Sequence, residues 1–489
     1  MILSLRTHRG ALRHAAVSLL VALASVGARA PSLGAQDEDV NVGLVREVLA
    51  SGKLRGARWS RLNDVQGELR QVYDSVGWRP LWLRDGRPTN AALSVVRYLS
   101  LVEGVGLHPA DYDAAVLESL VRSLADSGAS PQRAASFEAL MSVAVARVLA
   151  TLQWGRVKPS DAHESFRIAR DDYDLAGAVR TMAAGTDPVG VFNAAEPSLL
   201  HYRLLKAELA QQRELARDST SRAAEKRMAT RIEQLELSLE RWRWLPHAFP
   251  GRVILVNIPG FRLHAFNVLR GDSTDLFSMD VVVGKAFDHK TPVFTRELEY
   301  LAFSPYWEVP PSIARKEIRP KARQSAGYLA RNHYVLLRNG SEVPATSANI
   351  DAIGSSVNVR QRPGEDNALG RVKFIFPNPH NVYMHDTPVQ SVFDLERRDL
   401  SHGCIRLSEP VLLAQWVLRD RPEWTAARLD SAMSRSTPLD VTLTERIPVF
   451  VLYGTAVAER SGEIRFFRDI YGHDRRLLAL LARGYPYPR

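Results

Sequence analysis

Trp244-Leu245-Pro246-His247-Ala248-Phe249-Pro250-Gly251 divides the sequence into two unlike halves. Proline lacks the amide a helix ladder needs and its ring clashes with the preceding turn, so two prolines and a glycine here end any helix that enters. Before this segment apolar residues recur at three and four; after it they recur at two.

From Asp37 to about Pro246 the period is helical. Met228, Ile232, Leu235, Leu239 and Trp242 fall on one helix face, with Arg227, Arg231, Glu233, Glu236 and Glu240 between them, a stripe that reads as core packing. Further helices are expected over Pro131 to Leu152 and Ser198 to Leu215, with a turn and helix N-cap at Asp218-Ser219-Thr220-Ser221. Residues 36–245 are therefore expected to be all-α.

Beyond Gly251 strands are expected at Arg252 to Ile258, Phe261 to Leu269, Leu276 to Gly284, Leu298 to Phe303, Val372 to Phe376, Val382 to His385 and Leu439 to Thr444. Short strands without regular helix alternation imply a mainly-β domain over 246–475, a β-sandwich or barrel, with the sandwich preferred. One helix interrupts it, with Pro410 in its first turn after Ser408 and an apolar face of Leu412, Leu413, Trp416 and Val417. Residues 304–362 break the strand pattern and are expected to form an inserted subdomain or lid, and residues 476–489 a tail. The fold class is thus α+β multidomain: a helical half, then a β half.

Arg6, Arg9 and Arg13 precede the apolar run Ala15 to Ala24, and the small residues Ala28, Ala30 and Ala35 follow. That order is a signal peptide's, so residues 1–35 are expected to direct export to the periplasm or cell envelope. No later stretch of about eighteen apolar residues follows, so no transmembrane segment is expected in the mature chain. The chain of 489 residues carries a net charge of +10, and removing Arg6, Arg9, Arg13 and Arg29 leaves +6. Such an excess suits a polyanionic partner. Without a basic run interleaved with aromatics, or zinc-finger spacing, nucleic acid is not the expected one.

An exported protein ordinarily uses cysteines in pairs, yet this one has a single cysteine, Cys404, in Ser401-His402-Gly403-Cys404-Ile405-Arg406. His385 lies upstream at the end of the strand-like Asn381-Val382-Tyr383-Met384-His385-Asp386. A thiol near its reference pKa of about 8.5 is mostly protonated at neutral pH and needs a base or a cation beside it. If the two strands are neighbours, His385 can serve as that base. Gly403 permits a tight turn, and the amides of Gly403 and Cys404 are candidate oxyanion donors. Buried filler is the alternative for the cysteine, and a zinc site of His380, His385, His402 and Cys404 is another; the ligand spacing lacks a CxxC or HExxH arrangement, so no metal or cofactor is expected.

Around this motif the sequence resembles the L,D-transpeptidase family, whose catalytic domain is called YkuD-type. The resemblance is carried by Val283-Gly284-Lys285, Thr291-Pro292, Tyr306-Trp307-Glu308-Val309-Pro310-Pro311, Arg362-Pro363-Gly364, Asn367-Ala368-Leu369-Gly370, Tyr383 to Pro388 and Ser401 to Leu407, within Trp242 to Asp474. Trp154-Gly155-Arg156-Val157-Lys158-Pro159 and the helix around Tyr202 to Arg213 resemble the helical scaffold of the large periplasmic branch, which also has a capping subdomain. That branch commonly carries a small peptidoglycan-binding module; only Glu214 to Trp242 separates the flanking landmarks here, so the module is expected to be missing.

The resemblance implies acyl transfer on peptidoglycan stem peptides, forming 3,3 cross-links through a thioester on Cys404, with His385 as general base and acid and its ring oriented by a backbone carbonyl near Asp386. It implies a substrate-holding role for Arg406, support of the nucleophile turn by Gly403 and His402, stem-peptide contact by Trp307 and Tyr383, and acylation by carbapenems. Hydrolysis of stem peptides by the same chemistry and a non-catalytic wall-binding scaffold remain as alternatives.

Overall fold

The computed structural model describes residues 43–126, 130–185, 187–249, 251–269, 272–325, 327–459 and 461–484. The expected signal segment and the last five residues of the expected tail lie outside them.

The helical half forms around the helix Pro131–Trp154. Pro131 opens it without losing a ladder bond, and the Ser130 hydroxyl caps it by accepting from the Arg133 amide. It is the one helix among the described residues long and apolar enough to cross a membrane, and 89% of that stretch is buried inside the bundle. Helices Gln66–Ser75, Asn90–Ser100, Ala114–Asp126 and Leu175–Ala183 surround it, beside the small hairpin β1 (Leu83–Arg84) and β2 (Arg87–Pro88). Two buried charges in this bundle are closely satisfied. Glu138 accepts from the amides of Leu81 (2.5 Å) and Trp82 (3.0 Å) and from the Tyr73 hydroxyl (2.8 Å). Arg147 grips Asp64 with two nitrogens (2.8 and 3.1 Å) and donates to the carbonyls of Trp59 and Arg61.

The second half runs β3 (Gly251–Asn257), β4 (Arg262–Leu269), β5 (Asp272–Gly284), β6 (Phe294–Phe303), then β7 (Trp307–Val309), β8 (Tyr334–Arg338), β9 (Ser341–Val343) and β10 (Asn358–Gln361). It continues through β11 (Val372–Ile375), β12 (Met384–His385), β13 (Asp399–Ser401), β14 (Ile405–Leu407), β15 (Leu439–Leu452), β16 (Ala456–Ala458) and β17 (Ile464–Phe466). The expected sandwich is corrected here: nine of these strands form one sheet, ordered β13-β5-β14-β12-β11-β6-β15-β3-β4, that closes because β4 pairs back onto β5. Length makes this possible. β5 has 13 residues and pairs with β4 along one part and with β14 and β13 beyond it. Register shifts between Ala265 and Phe266 and between Thr442 and Ile447 bend the long strands, as bulges do, and the sheet curls into a barrel. Leu263, Val281, Phe303, Phe374, Met384 and Ile405 share its apolar core with Leu413 and Leu429 of the helices Pro410–Val417 and Ala426–Met433.

Residues 304–362, expected to lack strands, carry four: β7, β10, β8 and β9 form a separate antiparallel sheet with its own apolar cluster of Val309, Ile318, Leu336, Ile353 and Val359. At three to five residues each, these strands are too short to show a clear period.

The two halves are joined by packing as well as by the chain. The hairpin β16–β17 rests on helices Leu200–Arg217 and Arg222–Trp242 through Tyr202, Leu205, Leu235, Leu239 and Ala456. Glu240, on the face read as charged, is 3% exposed and accepts from the amides of Arg156 (2.5 Å) and Val157 (2.8 Å). Gly155 (φ 76°) passes so near that a Cβ there would lie 2.6 Å from the Trp244 ring. The expected tail boundary at 475/476 falls inside a helix, His473–Leu481, whose Asp474 accepts from Arg241 (2.6 Å) and Thr455 (2.6 Å).

Candidate active site

β12 and β14 are parallel neighbours, with Met384 opposite Ile405 and His385 opposite Arg406. The same register runs on to β11, where Lys373 is opposite His385. Partners in register share a face of a sheet, so Lys373, His385 and Arg406 form a row across three strands. Cys404 precedes β14, and the Ile405 amide donates to the Tyr383 carbonyl at 3.0 Å, which brings the cysteine alongside Tyr383.

His385 is buried, and its Nδ1 lies 2.5 Å from the Asp386 carbonyl. A carbonyl only accepts, so that nitrogen carries the proton and Nε2 presents a lone pair. Burial, then Arg406, then Lys373 push the imidazole down to about 3, so it is neutral at pH 7. The Asp386 carboxylate does not touch the imidazole; its oxygens accept from the Arg371 (2.8 Å) and Thr387 (2.7 Å) amides and hold the loop. Gly370 (φ 62°) closes against it, where a Cβ would sit 2.3 Å from the carboxyl carbon.

Cys404 is partly exposed, and its thiol donates weakly to the Asn381 carbonyl at 3.7 Å. Burial raises the thiol above its ordinary range, while hydrogen bonds from Tyr383 and the charges of Lys373 and Arg406 oppose the rise. Thiol and imidazole are therefore both neutral at rest. Lys373 lies 3.7 Å from the centre of the Tyr383 ring, and burial lowers its pKa. Burial likewise lowers that of Arg406. Neither cation has a carboxylate within ion-pair distance among the described residues.

Gly403 has φ 117°, a conformation open to glycine. Its amide donates to Ser401 Oγ (3.0 Å), which in turn donates to the Cys404 carbonyl (2.6 Å), so the expected oxyanion role is corrected for Gly403: its donor is engaged in the turn. The Cys404 amide has no such partner among the described residues. Behind the turn, Thr291 Oγ1 donates to the Gly403 carbonyl (2.8 Å) and accepts from the Gly284 amide (2.8 Å). The Tyr471 hydroxyl accepts from the Thr291 amide (3.3 Å) and donates to the Gly284 carbonyl. Gly284 has no room for a side chain; a Cβ would lie 1.8 Å from the His289 carbonyl.

His402 meets the inserted subdomain, with Nε2 2.9 Å from Glu317. Trp307 packs into that subdomain's own cluster, with Tyr334 6.4 Å away between ring centres. His380 lies against Phe294. No group of three His, Cys, Asp or Glu with metal-binding geometry occurs among the described residues. The structure thus gathers Cys404, His385, Arg406 and Tyr383, with Gly403 in the turn. Lys373 escapes sequence reading because an alternating strand makes it look like an ordinary outward residue; the basic position facing His385 is its one signal.

Cys404 thus immediately precedes β14, and His385 ends the neighbouring strand β12 of the closed sheet. Residues 251–441 match the YkuD family, the L,D-transpeptidase catalytic domain, and residues 67–209 match the Scaffold domain. It is therefore residues 251–441 that are similar to the YkuD-type L,D-transpeptidase catalytic domain. The chain is similar to the Haemophilus influenzae protein named "Putative L,D-transpeptidase", 31% identical over 248 residues, and spans about half of that relative, 50% of this chain aligning with 49% of the other. The solved structure of Bdellovibrio bacteriovorus Bd1075 is 15% identical over 48% of this chain and 55% of that one, with a TM-score of 0.18, a likeness too slight to bear on fold or function.

Proposed function

We propose that this protein is an exported peptidoglycan L,D-transpeptidase acting in the periplasm and making 3,3 cross-links between stem peptides. Cys404 Sγ attacks the carbonyl carbon of the L-centre of the third stem residue, meso-diaminopimelate, in a tetrapeptide donor. His385 Nε2 takes the thiol proton and passes it to the departing D-Ala amine as the C–N bond breaks. A thioester remains. The side-chain amine of a second stem attacks it, His385 accepts that amine's proton, and the thiol leaves protonated.

The observation that carries this reading is the β12–β14 pairing, which sets an imidazole with its Nδ1 tied to Asp386 beside the strand that Cys404 opens. Since both groups are neutral at rest, proton transfer accompanies attack. Lys373 and Arg406 then face the forming thiolate, and they also suit the carboxylates of a stem peptide. The Cys404 amide is the oxyanion donor left open. The inserted subdomain, held to the nucleophile turn by Glu317 and His402, serves as a cap that limits water and favours an amine acceptor. Trp307 shapes that cap from within.

Purified protein incubated with disaccharide tetrapeptide is expected to yield a cross-linked dimer by mass spectrometry, and Cys404→Ala none. Tripeptide monomer alone identifies a hydrolase, and unchanged substrate a scaffold. A carbapenem is expected to add its mass to the wild-type chain and not to Cys404→Ala.

A further inference from the structure

Where the core helix ends and the chain turns toward the sheet lies a cavity of about 440 Å³ that the transfer chemistry does not use. Small-ligand sites occupy roughly 300 to 1,000 Å³. Its wall includes two indoles, Trp154 and Trp244, and four cations, Lys158, Arg167, Arg170 and Arg243. Asp171 is the acid in the lining, and it is occupied. Its Oδ2 accepts from the His247 amide (2.9 Å), and its carbonyl accepts from Trp154 Nε1 (3.1 Å). Trp154 is thereby fixed, with the Arg170 guanidinium 5.3 Å from its ring centre.

Arg243 indicates the class of ligand. It is 1% exposed, and Nε and Nη2 donate to the Tyr202 hydroxyl at 3.2 and 3.0 Å. Its Nη1 makes no hydrogen bond. The acid beside it, Glu240, receives two backbone amides and the Trp244 ring nitrogen on Oε1, while its Oε2 forms an ion pair with Arg243 Nη1 at 3.7 Å, beyond hydrogen-bond reach. Buried guanidinium nitrogens without an acceptor are uncommon, and one in a cavity wall matches the oxygen of a carboxylate. Lys158 and Arg167, both exposed, have no acidic partner among the described residues. Flat indoles accept the apolar face of a ring whose edge is polar.

We infer that this cavity binds a carboxylate-bearing glycopeptide of the cell wall, an acyl-amino sugar lying on the indoles and its peptide carboxylates meeting Arg243, Lys158 and Arg167. The identity of the ligand rests on the function proposed above; the cavity and the unused hydrogen-bonding capacity of Arg243 Nη1 do not. Such a site anchors the enzyme to its polymer away from the thiol.

The test is co-sedimentation of the full chain, carrying Cys404→Ala, with purified sacculi, with and without Lys158→Glu and Arg167→Glu. Both residues are exposed, so the fold is not at stake. Retention is expected to weaken roughly tenfold or more on charge reversal, since two charge-assisted contacts become repulsive. In the chain that keeps Cys404, the same two substitutions are expected to leave the carbapenem acylation rate unchanged. Unaltered retention overturns the inference, as does loss of binding to anionic lipid vesicles with none to sacculi. If dimer forms from soluble tetrapeptide while retention ignores the charge reversal, the cavity site fails and the transferase stands. If charge reversal abolishes retention while no dimer forms, the site stands and the transferase fails.

Discussion

Arg147 in the helical half and His385 in the sheet are both almost fully buried, and their surroundings are opposite. Arg147 meets the Asp64 carboxylate through Nε and Nη2 and two carbonyls through Nη1 and Nη2, so its charge is neutralised and all three nitrogens are engaged. His385 lies in register between Lys373 and Arg406, two cations without a paired acid, and is held neutral by them and by burial. The first arrangement holds a fold. The second keeps groups in protonation states that their neighbours do not favour on binding a proton, which is how sites of proton transfer are built. Burial of charge alone therefore marks neither role; the sign and number of the neighbours do.

That contrast can be broken most directly at His385. His385→Asn is expected to lower single-turnover acylation by tetrapeptide about 10² to 10⁴-fold, while the denaturation midpoint stays level. A comparable loss of stability instead would make His385 structural. Asp64→Ala is the converse: stranding Arg147 is expected to destabilise the helical half by about 3 to 5 kcal/mol in urea unfolding, with carbapenem acylation of the folded fraction unaffected. A smaller effect is expected for Lys373→Met. Removing a cation that faces the thiol raises the pH midpoint of Cys404 alkylation by iodoacetamide by on the order of one unit, and Arg406→Met shifts it the same way. A downward shift would falsify the assignment of these cations to the thiolate.

Two buried groups, one in each half, respond to acid with opposite signs. The folded imidazole of His385 titrates near 3 against about 6.5 when unfolded, so below 6.5 the unfolded chain binds a proton that the folded one does not, and stability declines as pH falls. Burial pushes Glu138 up to about 7 against about 4.3 when unfolded, so between those values the folded chain holds the extra proton and stability grows as pH falls. Thermal melts at pH 7, 6 and 5 are expected to show a smaller loss on acidification for His385→Asn than for wild type, and a larger one for Glu138→Gln. Slopes that move together would dissolve the distinction.

Much of this layout is legible in the sequence. The change of period at Trp244 to Gly251 separates helices from strands, because each periodicity is a local property of the chain. Cys404 and His385 are legible as strand-end residues, and the structure sets their strands side by side. Closure of the sheet is not legible: a sandwich and a barrel need the same alternation, and only the return pairing of β4 onto β5 tells them apart. Glu240 reads as an outer charge because a stripe reveals the face toward one neighbour, whereas this helix is covered on a second side by Arg156 and Val157. The Gly403 amide looks like a free donor until Ser401 turns back to meet it. Lys373 stays hidden because strand register is a relation between segments far apart in the chain.

The turn bearing Cys404 is braced by a relay that begins late in the chain, from the Tyr471 hydroxyl to Thr291 and on to the Gly403 carbonyl. Ribosomes make proteins from the amino end, so the motif leaves the exit tunnel before the tyrosine that steadies it. A chain truncated between the two keeps the motif and lacks the hydroxyl that braces its turn.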